Sequence, residues 1–145
     1  MIDYVEGNTY TDEPLSFLFE DADIKETIAP YYMGRIVDFE KFIQNYPFKA
    51  DMCEREWRFT LVDPIMECNQ GMFLLKIGQN GQGNAVRVSG GCQDSISIQT
   101  MTTMLMGYKR PDYLARLGRL KADTNVIDML EDAIEQQTPY ISDYF

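Results

Sequence analysis

Few residues of this chain could do chemistry, and the group of greatest interest is the α-carboxylate of the last residue, Phe145. Residues 139–145 read Pro-Tyr-Ile-Ser-Asp-Tyr-Phe, which makes an aromatic and apolar chain end. Chain ends fray unless packing holds them, so this composition predicts a docked tail. A terminal carboxylate has an unperturbed pKa of about 3.5 and, when partly desolvated, can accept a proton from an amine. A tail docked for packing alone is the simpler interpretation of the same residues.

The side chains offer few other catalytic groups. The sequence contains no histidine, which removes the most common general base, the most common zinc ligand and every histidine-dependent nucleophile. The cysteines are odd in number and lack Cys-X-X-Cys spacing, which predicts three reduced thiols: Cys53, Cys68 and Cys92. Two pairs of carboxylates lie among charged turn residues and are interpreted as solvated loops: Asp21 with Asp23, and Glu54 with Glu56. We therefore expect no metal site in this chain.

The glycine-rich segment 78–83 resembles a phosphate-binding loop in part. Gly78, Gly81 and Gly83 have the spacing of an acetyl-CoA pyrophosphate loop. The residues that follow, 85–88, are typical of a strand, whereas a pyrophosphate site needs the N-terminus of a helix. The Asn-Gly step within the segment is also a hairpin signal. The segment is therefore predicted to be a hairpin turn, and no cofactor-binding residue is assigned.

Net charge narrows the range of partners. The chain has 13 basic and 23 acidic residues, which gives a formal net charge of −10 and a pI near 4.4. Such a surface repels nucleic acid and anionic membranes and attracts cationic small molecules. No apolar run reaches the roughly 20 residues that a membrane span needs, and the N-terminus lacks the pattern of a signal peptide. Together with reduced cysteines, these features predict a cytoplasmic location.

Positive charge is concentrated in one segment, residues 109–121. This segment holds five of the 13 basic residues and one acidic residue, Asp112. The remainder of the chain then has 8 basic and 22 acidic residues, a net charge of −14. We favour a solvated helix face as the interpretation, and the alternative is a docking surface for an acidic neighbour.

Hydrophobic periodicity predicts an α+β domain. A helix that begins after Asp38 is expected over 38–46. Four strands then follow around residues 57–61, 73–77, 86–88 and 96–98, and three helices follow them over 100–106, 112–117 and 126–137. Gly107 and Gly118 are expected to end the first two of these three helices, and Asn125 with Asp128 to cap the third. This order favours a mixed, mainly antiparallel sheet that is covered by helices on one face.

Four segments of the sequence carry a resemblance to a known family. They are 12–18 (Asp-Glu-Pro-Leu-Ser-Phe-Leu), 30–48 (from Pro-Tyr-Tyr-Met-Gly-Arg-Ile-Val-Asp to Tyr-Pro-Phe), 97–111 (from Ser-Ile-Gln-Thr to Gly-Tyr-Lys-Arg-Pro) and 143–145 (Asp-Tyr-Phe). In order and spacing they resemble the C-terminal part of the Eis-like (enhanced intracellular survival) N-acetyltransferases of the GNAT superfamily. Those bacterial enzymes acetylate amines on aminoglycosides and polyamines.

The resemblance implies a domain organisation. Such enzymes have two GNAT-type domains followed by a domain of the sterol-carrier-protein fold, in which helices cover a mixed sheet. By this resemblance, residues 31–145 are the sterol-carrier-protein-like domain. Residues 1–30 are then the tail end and linker of a preceding GNAT-like domain, which accounts for the apolar cluster at 15–19.

The resemblance also implies the chemistry. In the family, acetyl-CoA binds to the N-terminal GNAT domain, and the carboxylate of the last residue takes part in proton transfer with a tyrosine of that domain. Only Phe145 of this sequence has a counterpart, through its main-chain carboxylate. The acetyl-CoA loop and the tyrosine have none, so the chain is expected to bind no cofactor itself and to be inactive alone.

Two functions follow from the sequence. The first is a non-catalytic module of an acetyl-CoA-dependent N-acetyltransferase, which packs on the GNAT domain of the same longer polypeptide and lines part of a pocket for a cationic acceptor. The second is a stand-alone sterol-carrier-type protein that binds lipid or another apolar ligand beneath Met101, Met104 and Met106. Core filling is the simpler interpretation of these methionines. Either function is compatible with a homo-oligomer.

Overall fold

The structure is a computed structural model of the chain and describes residues 33–51, 53–137 and 139. Almost all of these residues belong to one compact unit, Gly34–Gln137. The expectations for residues 1–30, including the apolar cluster at 15–19, lie outside the described residues. Within the unit the predicted α+β architecture is confirmed.

Helices and strands are named here in chain order. The helices of the described residues are α1 (Phe39–Asn45), α2 (Ile98–Leu105), α3 (Pro111–Arg116) and α4 (Thr124–Ala133). The strands are β1 (Arg55–Val62), β2 (Gly71–Ile77), β3 (Gly83–Arg87), β4 (Ser95–Ser97) and β5 (Leu120–Lys121). A 3-10 turn, Glu67–Asn69, lies between β1 and β2.

The five strands form one sheet in the order β3-β2-β1-β4-β5. β1 runs antiparallel to β2, with Phe59 opposite Phe73, and parallel to β4, with Leu61 opposite Ile96. The pairs β2–β3 and β4–β5 are antiparallel. The prediction of a mixed, mainly antiparallel sheet is therefore confirmed.

The core lies on one face of the sheet because large apolar side chains alternate along the strands. β1 and β2 contribute Trp57, Phe59, Leu61, Phe73, Leu75 and Ile77, all of which are buried. Phe39 of α1 packs edge-on against Phe59 and Phe73, with ring centroids 5.9 and 5.2 Å apart. This is a favoured geometry for aromatic rings. Arg58, Val62 and Val86, on the opposite face, are exposed, so the helices cover one face of the sheet.

Local sequence signals position four of the helix ends. The side chains of Asp38 and Ser97 each accept a hydrogen bond from the backbone N–H three residues later, at 3.1 and 3.2 Å. Because Ser97 is the N-cap, α2 begins at Ile98, two residues before the predicted start. Gly107, with φ +74°, follows the end of α2 as predicted. Pro111 is the first residue of α3, one residue before the predicted start, at a position where a helix tolerates proline.

The predicted cap and length of α4 are wrong. Its N-cap is Asp123, which makes no side-chain cap hydrogen bond, and the expected Asn125–Asp128 capping pair lies inside the helix. The helix ends at Ala133 rather than near residue 137 because the backbone of Ile134 is extended. The carbonyl of Ile134 accepts a hydrogen bond from Arg110 instead of continuing the helix.

The outer strands of the sheet also differ from the prediction. β3 begins at Gly83, and its inward positions are Gly83 and Ala85, because Ala85 lies opposite Leu75 in the register. Val86 lies in the strand as predicted but faces away from the core and is 40% exposed, whereas Val88 follows the end of the strand. β5 has two residues, which is too short for any alternation to predict it.

Gly81, in the turn between β2 and β3, provides a test of the fold. Its φ is +76°, and a Cβ built there would clash with the carbonyl oxygen of Phe48. Gly81→Ala is expected to lower the free energy of unfolding by about 3 kcal/mol, through backbone strain and this clash. Gly118→Ala is the matched control, since Gly118 has a similar φ of +68° but nothing lies within 4 Å of its Cβ position.

Urea unfolding followed by the fluorescence of Trp57, the single tryptophan, measures both changes. We expect about 1 kcal/mol for Gly118→Ala, from backbone strain alone. Equal losses in the two variants would show that the close approach of Gly81 to Phe48 contributes nothing to stability.

Candidate functional site

The predicted catalytic group, the Phe145 carboxylate, lies outside the described residues. The structure does describe the segment from which the chain continues toward it, residues 134–137, which follow α4. We call these four residues the exit segment. Its contacts with the rest of the compact unit define the candidate site.

Arg110 binds the beginning of the exit segment. Its Nη1 donates to the carbonyl oxygens of Ile134 and Glu135, at 3.1 and 3.5 Å. Its Nη2 donates to the carbonyl oxygen of Glu131, in the last turn of α4, at 2.5 Å. The last carbonyls of a helix lack intrahelical partners and carry partial negative charge. The guanidinium of Arg110 therefore satisfies the end of α4 and the start of the exit segment together.

Glu131 completes this arrangement with its side chain. Its Oε2 accepts a hydrogen bond from Arg110 Nε at 2.8 Å, and its Oε1 accepts one from the backbone N–H of Asp112 at 2.7 Å. Glu131 of α4 therefore binds the first turn of α3, while Arg110, just before α3, binds the last turn of α4. The side chains of the pair are each 27% exposed, so water competes only in part with these charge-assisted bonds.

Further contacts are found near the two ends of the exit segment. Lys49 N–H donates to the carbonyl oxygen of Ala133 at 2.9 Å, and Ile134 is fully buried. At the far end, Gly107 approaches Gln137 so closely that a Cβ on Gly107 would clash with the Gln137 carbonyl oxygen. The backbone that leads to the tail is therefore held by hydrogen bonds and burial at its start, and it passes close to Gly107 at Gln137.

Tyr46 interacts electrostatically with the same residues and keeps its proton at neutral pH. Burial raises the pKa of Tyr46 to about 12, while the charge of Arg110 acts to lower it and that of Glu135 to raise it. Its ring packs against Phe48, with centroids 4.5 Å apart. The Tyr46 hydroxyl can donate a hydrogen bond but is not a general base at neutral pH.

A polar depression of about 500 Å³ lies at the turn end of the β2–β3 hairpin. Glu54 and Glu56 line it together with Lys76, whose Nζ lies 2.5 Å from a carboxylate oxygen of Glu56. The hydrogen bond that Lys76 donates to the Glu56 carboxylate raises the pKa of Lys76. Glu56 lies in strand β1, so the interpretation of this carboxylate as a loop residue is wrong, although it is exposed as expected. The mixed charges of the depression do not select a cationic ligand.

The glycine-rich segment forms the predicted hairpin turn between β2 and β3. Gly81 N–H donates to the carbonyl oxygen of Gly78 at 2.9 Å, and Gln82 N–H donates to the Asn80 side chain at 3.1 Å. The backbone amides are therefore used within the turn. A strand follows the turn, so the helix N-terminus that a pyrophosphate site needs is not there.

One buried carboxylate, Asp63, was missed from the sequence. Its side chain is fully buried and lies 2.5 Å from Arg35 Nη2 and 2.9 Å from Asn69 Nδ2. It also accepts hydrogen bonds from the backbone N–H groups of Ile65 and Met66. Burial alone would raise the pKa of Asp63, but these hydrogen bonds outweigh it and lower the pKa to about 2.

The Asp63 network is structural rather than catalytic. A carboxylate with so low a pKa and so many donors is a poor proton acceptor. Asn69, which is fully buried, extends the network by accepting a hydrogen bond from Phe39 N–H at 2.9 Å. It thereby ties the start of α1 to the connection between β1 and β2. In the sequence Asp63 stands only as an aspartate before Pro64, and this local pattern gives no sign of these long-range partners.

The basic segment 109–121 is partly used within the unit. Arg110 pairs with Glu131, and Arg116 pairs with Asp112 at 3.0 Å. Lys109 Nζ lies over the ring of Tyr108, 4.8 Å from its centroid, and Tyr108 is 63% exposed. Three of the five basic side chains in this segment therefore interact with acidic or aromatic residues of the unit, so the segment is neither a uniformly solvated face nor a set of free charges.

The three cysteines are free thiols, as predicted. Cys53 and Cys68 are exposed, and Cys92 is half-buried with its Sγ 2.9 Å from the Arg58 carbonyl oxygen. Within the described residues, no three cysteine or carboxylate side chains come together as a metal-ligand set. Across the same ranges, every helix is too short or too polar to cross a bilayer.

Two sequence comparisons bear on the family. Residues 39–142 match the family model of the sterol carrier protein domain. No curated protein matches the chain significantly in sequence.

Solved structures of longer proteins are similar to this one. A conserved protein of Enterococcus faecalis, designated a "Probable N-Acyltransferase", has a TM-score of 0.81 and 25% identity over 92% of this chain and 34% of its own. A GCN5-related N-acetyltransferase of Anabaena variabilis has a TM-score of 0.68 and 22% identity over 77% of this chain and 28% of its own. Eis1 of Mycobacterium abscessus has a TM-score of 0.62 and 15% identity over 77% of this chain and 27% of its own. The last two share the fold, and this chain spans about a third or less of each of the three proteins.

Proposed function

Because this chain belongs to the sterol carrier protein domain family, we propose that it is a non-catalytic module of an acetyl-CoA-dependent, Eis-like N-acetyltransferase. The likeness to the Enterococcus faecalis structure carries the proposal, since it covers 92% of this chain and 34% of that protein. The remaining part of such a polypeptide would contain the GNAT domain that binds acetyl-CoA. This chain then packs on that domain and completes its acceptor site.

The contribution of this chain to the reaction is proton acceptance by the Phe145 carboxylate. An ammonium group must lose a proton before its nitrogen can attack the thioester carbonyl, where the C–N bond forms and the C–S bond breaks. A carboxylate in a partly desolvated site has a raised pKa and is a better base than one in water. The ammonium group gives one proton to the carboxylate before the attack, and the nitrogen gives a second proton to the sulfur as the C–S bond breaks, so coenzyme A leaves as a thiol.

The acceptor that best suits this module is a small polycation. The chain carries a net charge of −10, which raises the local concentration of cations and speeds their encounter with the site. Aminoglycosides and polyamines are amines of this class, as the resemblance to Eis-like enzymes implies.

The alternative, a stand-alone lipid carrier, has less support from the described residues. Met101 and Met104 are each 1% exposed and pack in the core, Met106 is 36% exposed, and the residues that line the depression near the hairpin are mainly charged or polar. Native mass spectrometry of the freshly purified chain is therefore expected to give one species, at the polypeptide mass of 16.8 kDa. A co-purifying lipid of defined mass would favour the carrier instead.

The complete reading frame tests the proposed function. Sequencing the genomic DNA upstream of codon 1 should show an in-frame GNAT region, and the polypeptide that this frame encodes should acetylate an aminoglycoside or a polyamine. Calorimetric titration should detect acetyl-CoA binding to that polypeptide and none to residues 1–145. Tight binding of acetyl-CoA to residues 1–145 alone would contradict the proposal.

A further inference from the structure

We propose that four exposed side chains at helix α3 form a docking surface for an acidic face of the GNAT region that precedes residue 1 in the complete polypeptide. We call these residues, Tyr108, Lys109, Tyr113 and Leu117, the α3 patch. The inference rests on the proposed function, because it names the surface through which this module packs on the GNAT domain. The patch is assigned no part in the chemistry.

The α3 patch exposes large side chains that adjoin one another. Tyr108, Tyr113 and Leu117 are 63%, 42% and 56% exposed. Tyr113 and Leu117 are four residues apart at the end of α3, so they lie on the same side of the helix. Single exposed apolar residues are common, whereas adjoining ones beside charged groups are typical of interaction sites, where tyrosine is enriched.

Lys109 connects the two tyrosines of the patch. Its Nζ lies 4.8 Å from the centroid of the Tyr108 ring and 5.4 Å from that of the Tyr113 ring. Both distances are within the roughly 6 Å at which an aromatic ring attracts a cation. The ammonium group is therefore held between two rings, and a group already held in place loses less conformational entropy when a partner binds.

The cations in and beside the patch lack acidic partners within the unit. Most cationic side chains that the structure describes pair with a carboxylate. Among these described residues the exceptions are Arg58, Lys109, Arg119 and Lys121, and all but Arg58 lie in the basic segment 109–121. A shortage of carboxylates is not the cause, since the chain has 23 acidic and 13 basic residues. An acidic surface on a partner would therefore complement the patch.

The places where the chain enters and leaves the unit indicate which partner covers the patch. Gly34 is the first residue of the unit, and a Cβ built on it would lie 2.6 Å from Met106 Sδ. Gln137 is the last, and its carbonyl oxygen lies against Gly107. Met106 and Gly107 directly precede Tyr108 in the sequence. Both connections to the rest of the polypeptide therefore lie beside the patch, and such a tether raises the local concentration of a linked domain there.

A linked domain suits the patch better than a second copy of this chain does. Interfaces between domains of one chain bury about 600–1,500 Å² and are more polar than permanent interfaces between subunits. A patch that combines tyrosines with a lysine has this mixed character. A second copy carries the same net charge of −10, and two such chains repel each other.

Hydroxyl-radical footprinting by mass spectrometry tests the inference on residues 1–145 and on the polypeptide that the complete reading frame encodes. At the same radical dose, Tyr108 and Tyr113 should be labelled roughly 5-fold or more slowly in the complete polypeptide, since water is excluded from the centre of an interface. Lys109→Glu should restore most of this labelling in the complete polypeptide, because it places a negative charge against the acidic face.

Lys41→Glu is the matched control, with the same change of charge. The Lys41 side chain is 79% exposed and lies on α1, which packs on β3, at the opposite edge of the sheet from β5 and α3. A glutamate is favourable there, three residues after the N-cap Asp38. Lys41→Glu should leave the labelling of both tyrosines in the complete polypeptide unchanged.

The outcomes separate this inference from the proposed function. Equal labelling of the tyrosines in residues 1–145 and in the complete polypeptide would overturn the inference, as would protection that Lys109→Glu leaves intact. Labelling of residues 1–145 that falls as their concentration rises would overturn it too, since a second copy would then cover the patch. Should Lys109→Glu accelerate amide exchange in β1 and β2, the labelling of Lys109→Gln decides instead. A complete polypeptide without acetyl-transfer activity would contradict the proposed function, whatever the labelling shows.

Discussion

Appending three glycines after Phe145 is expected to lower kcat for acetyl transfer by roughly 100-fold or more in the complete polypeptide. The extension moves the terminal carboxylate up to about 10 Å along the chain and replaces it by an amide at its original position. An amide does not accept a proton at neutral pH, so the base is lost. The free energy of unfolding should be unchanged, because the added residues follow the last residue of the domain.

Two comparisons isolate the carboxylate as the cause. C-terminal amidation by semisynthesis removes the charge of Phe145 without adding length, and it should reduce kcat as much as the extension does. Phe145→Tyr keeps both the carboxylate and an aromatic ring, and its kcat should stay close to that of the natural sequence. An extended enzyme with full activity would show that the carboxylate has no part in the reaction.

Asp63→Asn is expected to lower the free energy of unfolding by about 3 kcal/mol at pH 7, since it breaks a buried ion pair and leaves Arg35 without its charged partner. The new amide also places an NH2 group against Asn69 Nδ2, which now donates to Asp63. Urea unfolding followed by Trp57 fluorescence measures the loss. Asp128→Asn, at an exposed position of α4, is the matched control and should change stability little.

The stability of Asp63→Asn relative to the natural chain is also expected to depend on pH. The pKa of Asp63 is about 2 in the folded chain, below the value of 3.8 for an unperturbed aspartate. A carboxyl group whose pKa is lower in the folded chain stabilises the fold at pH values above its unfolded-state pKa. This contribution to stability is lost as the pH falls toward 2. The difference in unfolding free energy between the natural chain and Asp63→Asn should therefore shrink by about 2 kcal/mol between pH 4 and pH 2. Parallel pH curves for the two proteins would contradict this.

The elements with strong local patterns could be predicted from the sequence. Trp57, Phe59 and Leu61 alternate with polar residues, and this places β1 with one face toward the core. The Asn-Gly step correctly predicts the hairpin between β2 and β3. Gly107 correctly predicts the end of α2, because a left-handed residue there is a local requirement. Each of these signals lies within a few residues of the structure that it determines.

The features missed from the sequence depend on contacts between distant residues. Asp63 meets Arg35 from 28 positions away, and Arg110 meets Glu131 from 21. The early end of α4 coincides with another such contact, the hydrogen bond from Arg110 to the carbonyl oxygen of Ile134. In the candidate site, Phe145 could be proposed from the aromatic tail and the family resemblance, and its role stays a prediction. Arg110 was visible only as one charge of a basic segment, because its contacts exist only in the folded chain.

Steady-state turnover of acetyl-CoA tests the central claim most directly. Coenzyme A release is measured by chromatography, because the exposed Cys53 and Cys68 would react with thiol reagents. Purified residues 1–145 and the complete polypeptide are each assayed with an aminoglycoside and with a polyamine. We predict release by the complete polypeptide and none above background by residues 1–145. Sustained turnover by residues 1–145 alone would contradict the account of this chain as a non-catalytic module.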